Sequence, residues 1–276
     1  MPSAKPINMI ANLFMSLTDY PFFRRLVWRP IYEQLAKRFD IKDWYFMNYG
    51  YAPSEKEQHL HLEDKDEPNR YPLQLYYYLA AKVPVKNLKM LEVGSGRGGG
   101  SSAIKKYLAP ADMTGLDIAS NAVKFANKTL SKDGLTYLQG NAESLPFGNE
   151  EFDVVINVES CHAYGSVPKF IDEAKRVLKP GGYFLCTDIR GPEGMIKLRN
   201  QLKDSGMELL EDEDISNNVI TAIETEEGSK QQRIEEHVPK WFQNTFREFA
   251  GVVGSKIHSD LKSGTLVYSR FVLKKS

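Results

Sequence analysis

The chain has 276 residues, 42% of them hydrophobic, enough to bury a full core, and this predicts one large α/β domain with an embellishment rather than two independent domains. Lys plus Arg balances Asp plus Glu, 36 against 36, so there is no polycation and no nucleic-acid partner is expected. The two cysteines, Cys161 and Cys186, make neither a disulfide framework nor a C-x-x-C zinc pattern, which suits a reducing cytoplasm.

Residues 1 to about 47 read as helical and aromatic. Phe22, Phe23, Leu26, Val27, Ile31 and Leu35 recur at helical spacing, interleaved with Arg24, Arg25, Arg29 and Lys37. The expected structure is a surface helix packed on the main domain, with peripheral contact to a membrane as the alternative. No stretch is long and apolar enough to span a bilayer, and no secretion signal is expected. A polar, proline-punctuated loop with clustered aromatics follows, WYFMNYGYAPSEKEQHLHLEDKDEPNRYP, and reads as a lid. Leu73 to Lys82 reads as a helix leading into the core. Residues 1–82 are thus an N-terminal helical lid segment, and 83–276 the main domain.

From Met90 onward strands and helices alternate, the pattern of a mostly parallel sheet. KMLEV, MTGLDIA, LTYLQ, EFDVVINVES and GYFLCTDIR read as five strands, with helices at 120–131 and in VPKFIDEAKRVLKPGG, the latter ending at a glycine stop. GMELLEDEDI reads as a sixth strand, followed by a long helical insert from about 217 to 261. TLVYSRFVLKK closes the sheet, and its short Lys-Ser-Gly approach allows it to lie antiparallel. The pattern thus predicts a mostly parallel α/β sheet.

Leu91 to Ser102, LEVGSGRGGGSS, carries the chemistry. A strand ends at Glu92 and turns through Gly94, Gly96, Gly98, Gly99 and Gly100 into a helix. Glycines admit positive φ and close approach of a ligand, and the helix start offers amide groups to an anion. Gly94, Gly96 and Gly99 also fit the dinucleotide pattern, so the loop alone leaves a nicotinamide cofactor open. Its neighbours decide. Glu92 would attract a cationic amino group and repel a pyrophosphate. Asp117 ends the second strand, where a carboxylate bonds ribose hydroxyls. Taken singly, Glu92 could be a strand-end carboxylate, Asp117 a helix cap and Asn141 a turn former.

With GNAESLPF and VLKPGG at the spacings expected after the third and fourth strands, this set resembles the class I S-adenosylmethionine-dependent methyltransferases. The resemblance implies the Rossmann-like form of that sheet, with seven strands, the last antiparallel. It also implies that Glu92, Gly94, Ser95, Gly96 and Gly98 hold the methionine part of the cofactor. Asp117 would hold the ribose, Ile118 would pack on the adenine, and Asn141, Ala142 and Glu143 would frame its edge. Asn157, at the end of the fourth strand, is grouped with them. Many relatives carry Asp at the position of Asn141, a mild departure.

NVESCHAY follows the fourth strand, at the carboxyl edge where open α/β sheets bind ligands. Enzymes that methylate base amines carry Asn/Asp-Pro-Pro-aromatic there. Here Asn157-Val158-Glu159-Ser160 stands instead, so base methylation is not expected. His162 is the candidate general base, because an imidazole can take a hydroxyl proton at neutral pH. The alternative is a histidine bonded to backbone at a helix start. Glu159 would orient the acceptor or bond the cofactor, and Cys161 would pack. Tyr49, Tyr51, Tyr164, His237 and Trp241 are the expected acceptor contacts, while His59, His61 and His258 receive no role. Asp188 ends the fifth strand without an evident carboxylate set, so the reaction is read as metal-independent.

EPNRYPLQLYYYLA, GRGGGSS, GNAESLPF, NVESCHAY, KPGGYFLCTDIR and EEHVPKWFQNTFREFAGVVGS…LKSGTLVYSRFVLKK further resemble the phthiotriol/phenolphthiotriol dimycocerosates methyltransferases of mycobacteria. That family O-methylates a secondary hydroxyl of a long-chain lipid diol, implying a lipid-like or polyketide-like alcohol as acceptor. The alternatives are C- or carboxyl-methylation, for example of a quinone precursor or a fatty acid, and a non-catalytic S-adenosylmethionine-binding protein.

Overall fold

The computed structural model describes residues 45–240 and 243–276. The expected amphipathic helix within residues 1–44 and the acceptor contact at Trp241 lie outside the described residues.

The strands are β1 (Lys89–Val93), β2 (Asp112–Asp117), β3 (Leu135–Gln139), β4 (Phe152–Val158), β5 (Leu178–Arg190), β6 (Glu208–Asp214) and β7 (Val267–Lys274). They form one sheet in the order β3-β2-β1-β4-β5-β7-β6. β7 runs antiparallel to both β5 and β6, and the other pairings are parallel. The strand order reverses between β1 and β4, so the carboxyl ends of these two strands flank the crevice where such sheets bind ligands.

The central strands are buried on both faces and accordingly read as nearly continuous apolar runs. In β4, Val154, Ile156 and Val158 face one core cluster, while Phe152 and Val155 face the other. The first cluster takes Leu75, Tyr76, Leu79 and Ala80 from α1 (Arg70–Ala80), Ile104 from α2 (Gly99–Tyr107), and Val123 and Ala126 from α3 (Ser120–Thr129). α1 therefore shares its core with the sheet rather than with a separate lid. Helix α1 starts three residues before the expected Leu73; Pro72 falls within its first turn, where a missing amide costs little.

The second cluster takes Phe170, Ile171, Ala174 and Val177 from α4 (Val167–Val177), and Met195, Leu198 and Leu202 from α5 (Pro192–Asp204). The spacing of that α4 set is one apolar helix stripe. Ser166 caps it through the Lys169 amide at 3.4 Å. The helix stops at Val177 rather than at the glycines, because Leu178 already pairs with Phe152 as the start of β5. The expected single insert is three helices, α6 (Ser216–His237), α7 (Gln243–Ala250) and α8 (Lys256–Lys262). Pro239 follows the first break, since a residue before proline is steered out of helical geometry. Gly251 and Gly254, both at positive φ, separate α7 from α8. No helix among the described residues is long and apolar enough to cross a membrane.

Candidate active site

Two groups of side chains meet at the carboxyl edge of the sheet. The first lies at β1 and β2. Glu92 is wholly buried; its Oε1 accepts from the Tyr76 hydroxyl at 2.7 Å and its Oε2 from the Ser101 hydroxyl. Burial, reinforced by the nearby Asp117 charge, pushes the Glu92 carboxyl up to about 7 despite these donors. Asp117 is half-buried, with Oδ2 accepting from the Gly96 amide and Oδ1 from the Ala119 amide, each at 2.8 Å. Burial raises its carboxyl as well, against the pull of those amides. The aspartate thus shapes the glycine loop it faces, while each of its oxygens keeps a further lone pair for a ligand.

Gly94, Gly96 and Gly98 all have positive φ. At Gly98 the demand is also steric, because a Cβ there would stand 2.6 Å from Cε1 of Tyr137, whose hydroxyl bonds the Gly98 carbonyl at 2.8 Å. Ser95 is buried, and its hydroxyl has no hydrogen-bond partner among the described residues. Ile118 is 38% exposed beyond the end of β2, an apolar surface beside Asp117. Asn141 accepts from the Glu143 amide at 3.1 Å, Glu143 accepts from the Gly165 amide at 2.9 Å, and Ala142 is buried between them in sequence. Two acids for an ammonium and a ribose, an unsatisfied buried hydroxyl and an open apolar side chain for a purine together fit S-adenosylmethionine.

The second group lies at β4, β5 and β7. Asn157 is buried and donates to the Val93 carbonyl at 2.8 Å, to Ser160 at 2.7 Å and to Tyr164 at 3.0 Å. It ties the end of β4 to the end of β1, so its amide works as an internal brace. Tyr164 packs edge-on against Phe170 at 4.9 Å with its hydroxyl turned toward Ser160 and Gly94.

His162 sits on the short 3-10 turn Cys161–Ala163, its side chain 30% exposed. Its Nδ1 lies 2.6 Å from Oδ1 of Asp188, a wholly buried residue of β5. Asp188 also accepts from Arg190 Nε at 2.7 Å and from the Cys161 thiol at 3.2 Å. Burial pushes the Asp188 carboxyl up, but His162 and Arg190 outweigh it and hold the group below its ordinary range. An ionised Asp188 can only accept, so Nδ1 carries the proton and Nε2 is left as the basic atom of the ring. Sequence reasoning placed Asp188 at its strand end but missed these partners. The available signal was a carboxylate closing the strand beside the one that carries NVESCHAY.

Glu159, expected to orient the acceptor or bond the cofactor, is tied within the protein to the N-terminal segment and to β7. Its Oε1 accepts from the Tyr49 backbone amide at 2.9 Å and from the Tyr268 hydroxyl at 2.6 Å. Burial pushes its carboxyl up to about 7, against the lowering effect of those donors and His162. Tyr268, on β7, and Tyr76, on α1, were not singled out from sequence. Both lie in segments that carry the family resemblance, but nothing in those segments marks either tyrosine, and only folding brings each to its acid.

The expected acceptor residues separate. Tyr49 and Tyr164 reach this edge. Tyr51 does not: it is buried, stacked on Tyr78 at a ring distance of 4.0 Å, with its hydroxyl on Glu57. His237 ends α6 exposed, 3.9 Å from the Glu236 carboxylate, and shares no hydrogen bond with the His162 cluster among the described residues. The α6 helix turns its last residues outward, away from the apolar contact made by Ile234 and Val238.

Comparison with known proteins agrees with this geometry. The methyltransferase-domain family matches residues 91–186. The phthiotriol/phenolphthiotriol dimycocerosates methyltransferase of Mycobacterium leprae is 34% identical over 266 residues, covering 96% of this chain and 98% of that protein. The fatty-acid O-methyltransferase of Mycolicibacterium smegmatis is 32% identical, covering 89% and 88%. Among solved structures, geranyl diphosphate C-methyltransferase from Streptomyces coelicolor A3(2), in complex with S-adenosyl-L-homocysteine, shares the fold at a TM-score of 0.65 and 14% identity, covering 91% of this chain and 98% of that one. The chain therefore belongs to the phthiotriol/phenolphthiotriol dimycocerosates methyltransferase family and is an S-adenosylmethionine-dependent methyltransferase.

Proposed function

We propose that the enzyme O-methylates a hydroxyl group on an apolar, lipid-like or polyketide-like acceptor, with His162 as general base. The observation that carries this reading is the His162–Asp188 pair at 2.6 Å. Bound S-adenosylmethionine supplies an electrophilic methyl group with a good leaving group already attached. What an alcohol lacks is nucleophilicity, and a positioned base removes its proton during attack. Nε2 of His162 takes that proton, and the positive charge it acquires is balanced by buried Asp188. Glu92, Ser95 and Asp117 hold the amino acid and ribose ends of the cofactor, with Ile118 against the purine. Two relatives that each cover most of the chain are named for methylation of phthiotriols and of fatty acids, which supports a long apolar acceptor.

Carboxyl methylation is the second reading, favoured by the fatty-acid O-methyltransferase relative. A carboxylate is already ionised and needs no base. Incubation with methyl-labelled cofactor and matched acceptors, a long-chain secondary alcohol and the fatty acid of equal length, separates the two. Label in the alcohol, identified as an ether by mass spectrometry, is expected; label only in a methyl ester would replace the proposal with the second reading.

A further inference from the structure

Residues 45–52, outside any helix or strand, cross the carboxyl edge of the sheet as a strap. Its downstream half is held firmly. The Tyr51 amide donates to the Tyr71 carbonyl at 3.0 Å, the Ala52 amide to the Asn218 carbonyl at 3.1 Å, and the Asn218 side chain returns a bond to the Ala52 carbonyl at 3.0 Å. Its upstream half lies directly on the glycine loop. A Cβ on Gly96 would stand 2.7 Å from the Met47 methyl, and one on Gly99 2.6 Å from the Tyr45 carbonyl. The Phe46 ring is 6.3 Å from that of Tyr76, the residue that bonds Glu92. Between the halves stands Gly50, at φ +84.

One bond that joins this upstream half to the end of β4 runs from the Tyr49 amide to Glu159, 110 residues away in sequence, beside the Asn48 side-chain bond to the Pro72 carbonyl at 3.4 Å and the Tyr45–Phe125 ring contact at 6.0 Å. Glu159 holds an unusual backbone conformation for its type, φ +47, immediately after β4. A non-glycine residue in the left-handed region is strained, and such outliers persist where the side chain is put to use. Here the side chain spans from β4 to the strap and is itself held by the buried Tyr268 hydroxyl.

We propose that Glu159 is a positioning residue that pins residues 45–49 over the cofactor loop, with Gly50 as the hinge, so that cofactor entry and exit require the Glu159–Tyr49 bond to open. This deepens the methyltransferase reading but rests only on its cofactor half, not on the identity of the acceptor. Tyr268 supports the pin by fixing the carboxylate, and the apolar contacts of Phe46 and Met47 keep water from the loop once it is closed.

The test is the dissociation of S-adenosylhomocysteine from the full-length protein in the absence of any acceptor, followed by competitive displacement, alongside hydrogen exchange of residues 45–49. Loss of a hydrogen bond to a charged group corresponds to about ten- to hundred-fold in a rate or affinity. Glu159→Ala is expected to speed dissociation by that range and to expose the Tyr49 amide to exchange. Glu159→Gln retains an accepting oxygen and is expected to restore slow dissociation. Tyr268→Phe should act in the same direction as Glu159→Ala but by a few-fold, and it covers the case in which the alanine variant folds poorly. Unchanged dissociation and unchanged Tyr49 protection in both Glu159→Ala and Tyr268→Phe would overturn the pin. So would a Glu159→Ala variant that loses only methyl transfer, because Glu159 would then act on the acceptor. Failure of the unmodified protein to bind S-adenosylhomocysteine would instead strike the cofactor reading.

Discussion

The two ends of the crevice are built in different ways. At the cofactor end the deciding contacts are close in sequence: Ser101 to Glu92 spans 9 residues, Tyr76 to Glu92 16, and Gly96 to Asp117 21. At the acceptor end His162 meets Asp188 across 26 residues, while Tyr49 and Tyr268 reach Glu159 across 110 and 109. The first end is one strand–loop–helix unit and the strand after it, with Tyr76 added from the helix just before them, so most of its shape follows from local glycine geometry. The second is assembled from β4, β5, β7 and the strap, and its shape exists only once the whole sheet has closed. One end can be shared unchanged by enzymes with different acceptors, and the other can vary strand by strand.

The sharpest way to separate the ends is to disable the acceptor end alone. His162→Ala should lower kcat by about 10²- to 10⁴-fold on an alcohol acceptor while leaving the dissociation constant for S-adenosylhomocysteine within about two-fold. Both quantities are measured on the same preparation, by turnover and by calorimetry. Full activity in that variant would show that the acceptor arrives already ionised. Asp188→Asn should follow in size. It leaves the Arg190 guanidinium, 14% exposed, without its anion, and breaking such a pair costs about 3–5 kcal/mol. A fall in thermal stability and a loss of activity are expected together. The double variant His162→Ala/Asp188→Asn should turn over no more slowly than His162→Ala, because the two residues act as one unit.

The same contrast explains what could be read before folding. The order of strands and helices, the antiparallel last strand and the acids at Glu92 and Asp117 all lie in periodic or motif-bearing segments. Glycine, carboxylate and strand end occur there within about ten residues of one another, so their chemistry is visible in one line of sequence. Tyr76 and Tyr268 lie in ordinary apolar helix or strand text, and nothing local distinguishes a tyrosine that bonds a crevice acid from one that fills a core; Asp188 stood out as a strand-end carboxylate, but its partners did not. Tyr51 is placed by packing that its sequence setting does not show. Its NYGY setting suggested an acceptor contact, yet stacking on Tyr78 and the Glu57 acceptor hold it inside. His237 was expected to close the acceptor pocket from the insert, and it stands exposed at the end of α6.

A smaller effect tests whether the cofactor end is as local as it looks. Gly98→Ala introduces a side chain at φ +87 and within 2.6 Å of the Tyr137 ring. Backbone strain of about 1–2 kcal/mol and a similar cost of overpacking are expected in thermal unfolding. Tyr137→Leu in the same chain should recover the steric part and leave the backbone part. A Gly98→Ala protein with unchanged unfolding would mean that the loop relaxes freely, and the contrast between a locally fixed end and an assembled end would lose its basis.

The finest measurement concerns protons. Burial pushes the Glu92 carboxyl up to about 7, so near that pH a sizeable fraction of the free protein carries a proton there. A cationic ligand beside it favours the ionised form and lowers that value, so binding must release part of a proton between about pH 6 and 7, whereas near pH 9 Glu92 is already ionised and the ligand's amino group, ordinarily at about 8, takes up a proton instead. Calorimetry in two buffers of different ionisation enthalpy counts that fraction directly. The sign for folding is opposite to that for binding. An acid whose value is higher folded than unfolded contributes stability that is complete below its ordinary value, near 4.5, and is lost as pH rises through about 7. Glu92→Gln removes this dependence, and the hydroxyls of Tyr76 and Ser101 can rotate to suit the amide. The ligand-free variant should therefore melt higher than the unmodified protein above pH 7, bind S-adenosylmethionine more weakly, and release no proton on binding. If the variant still released a proton, Asp117, whose carboxyl is also raised, would be its source, and the ammonium would belong nearer β2 than β1.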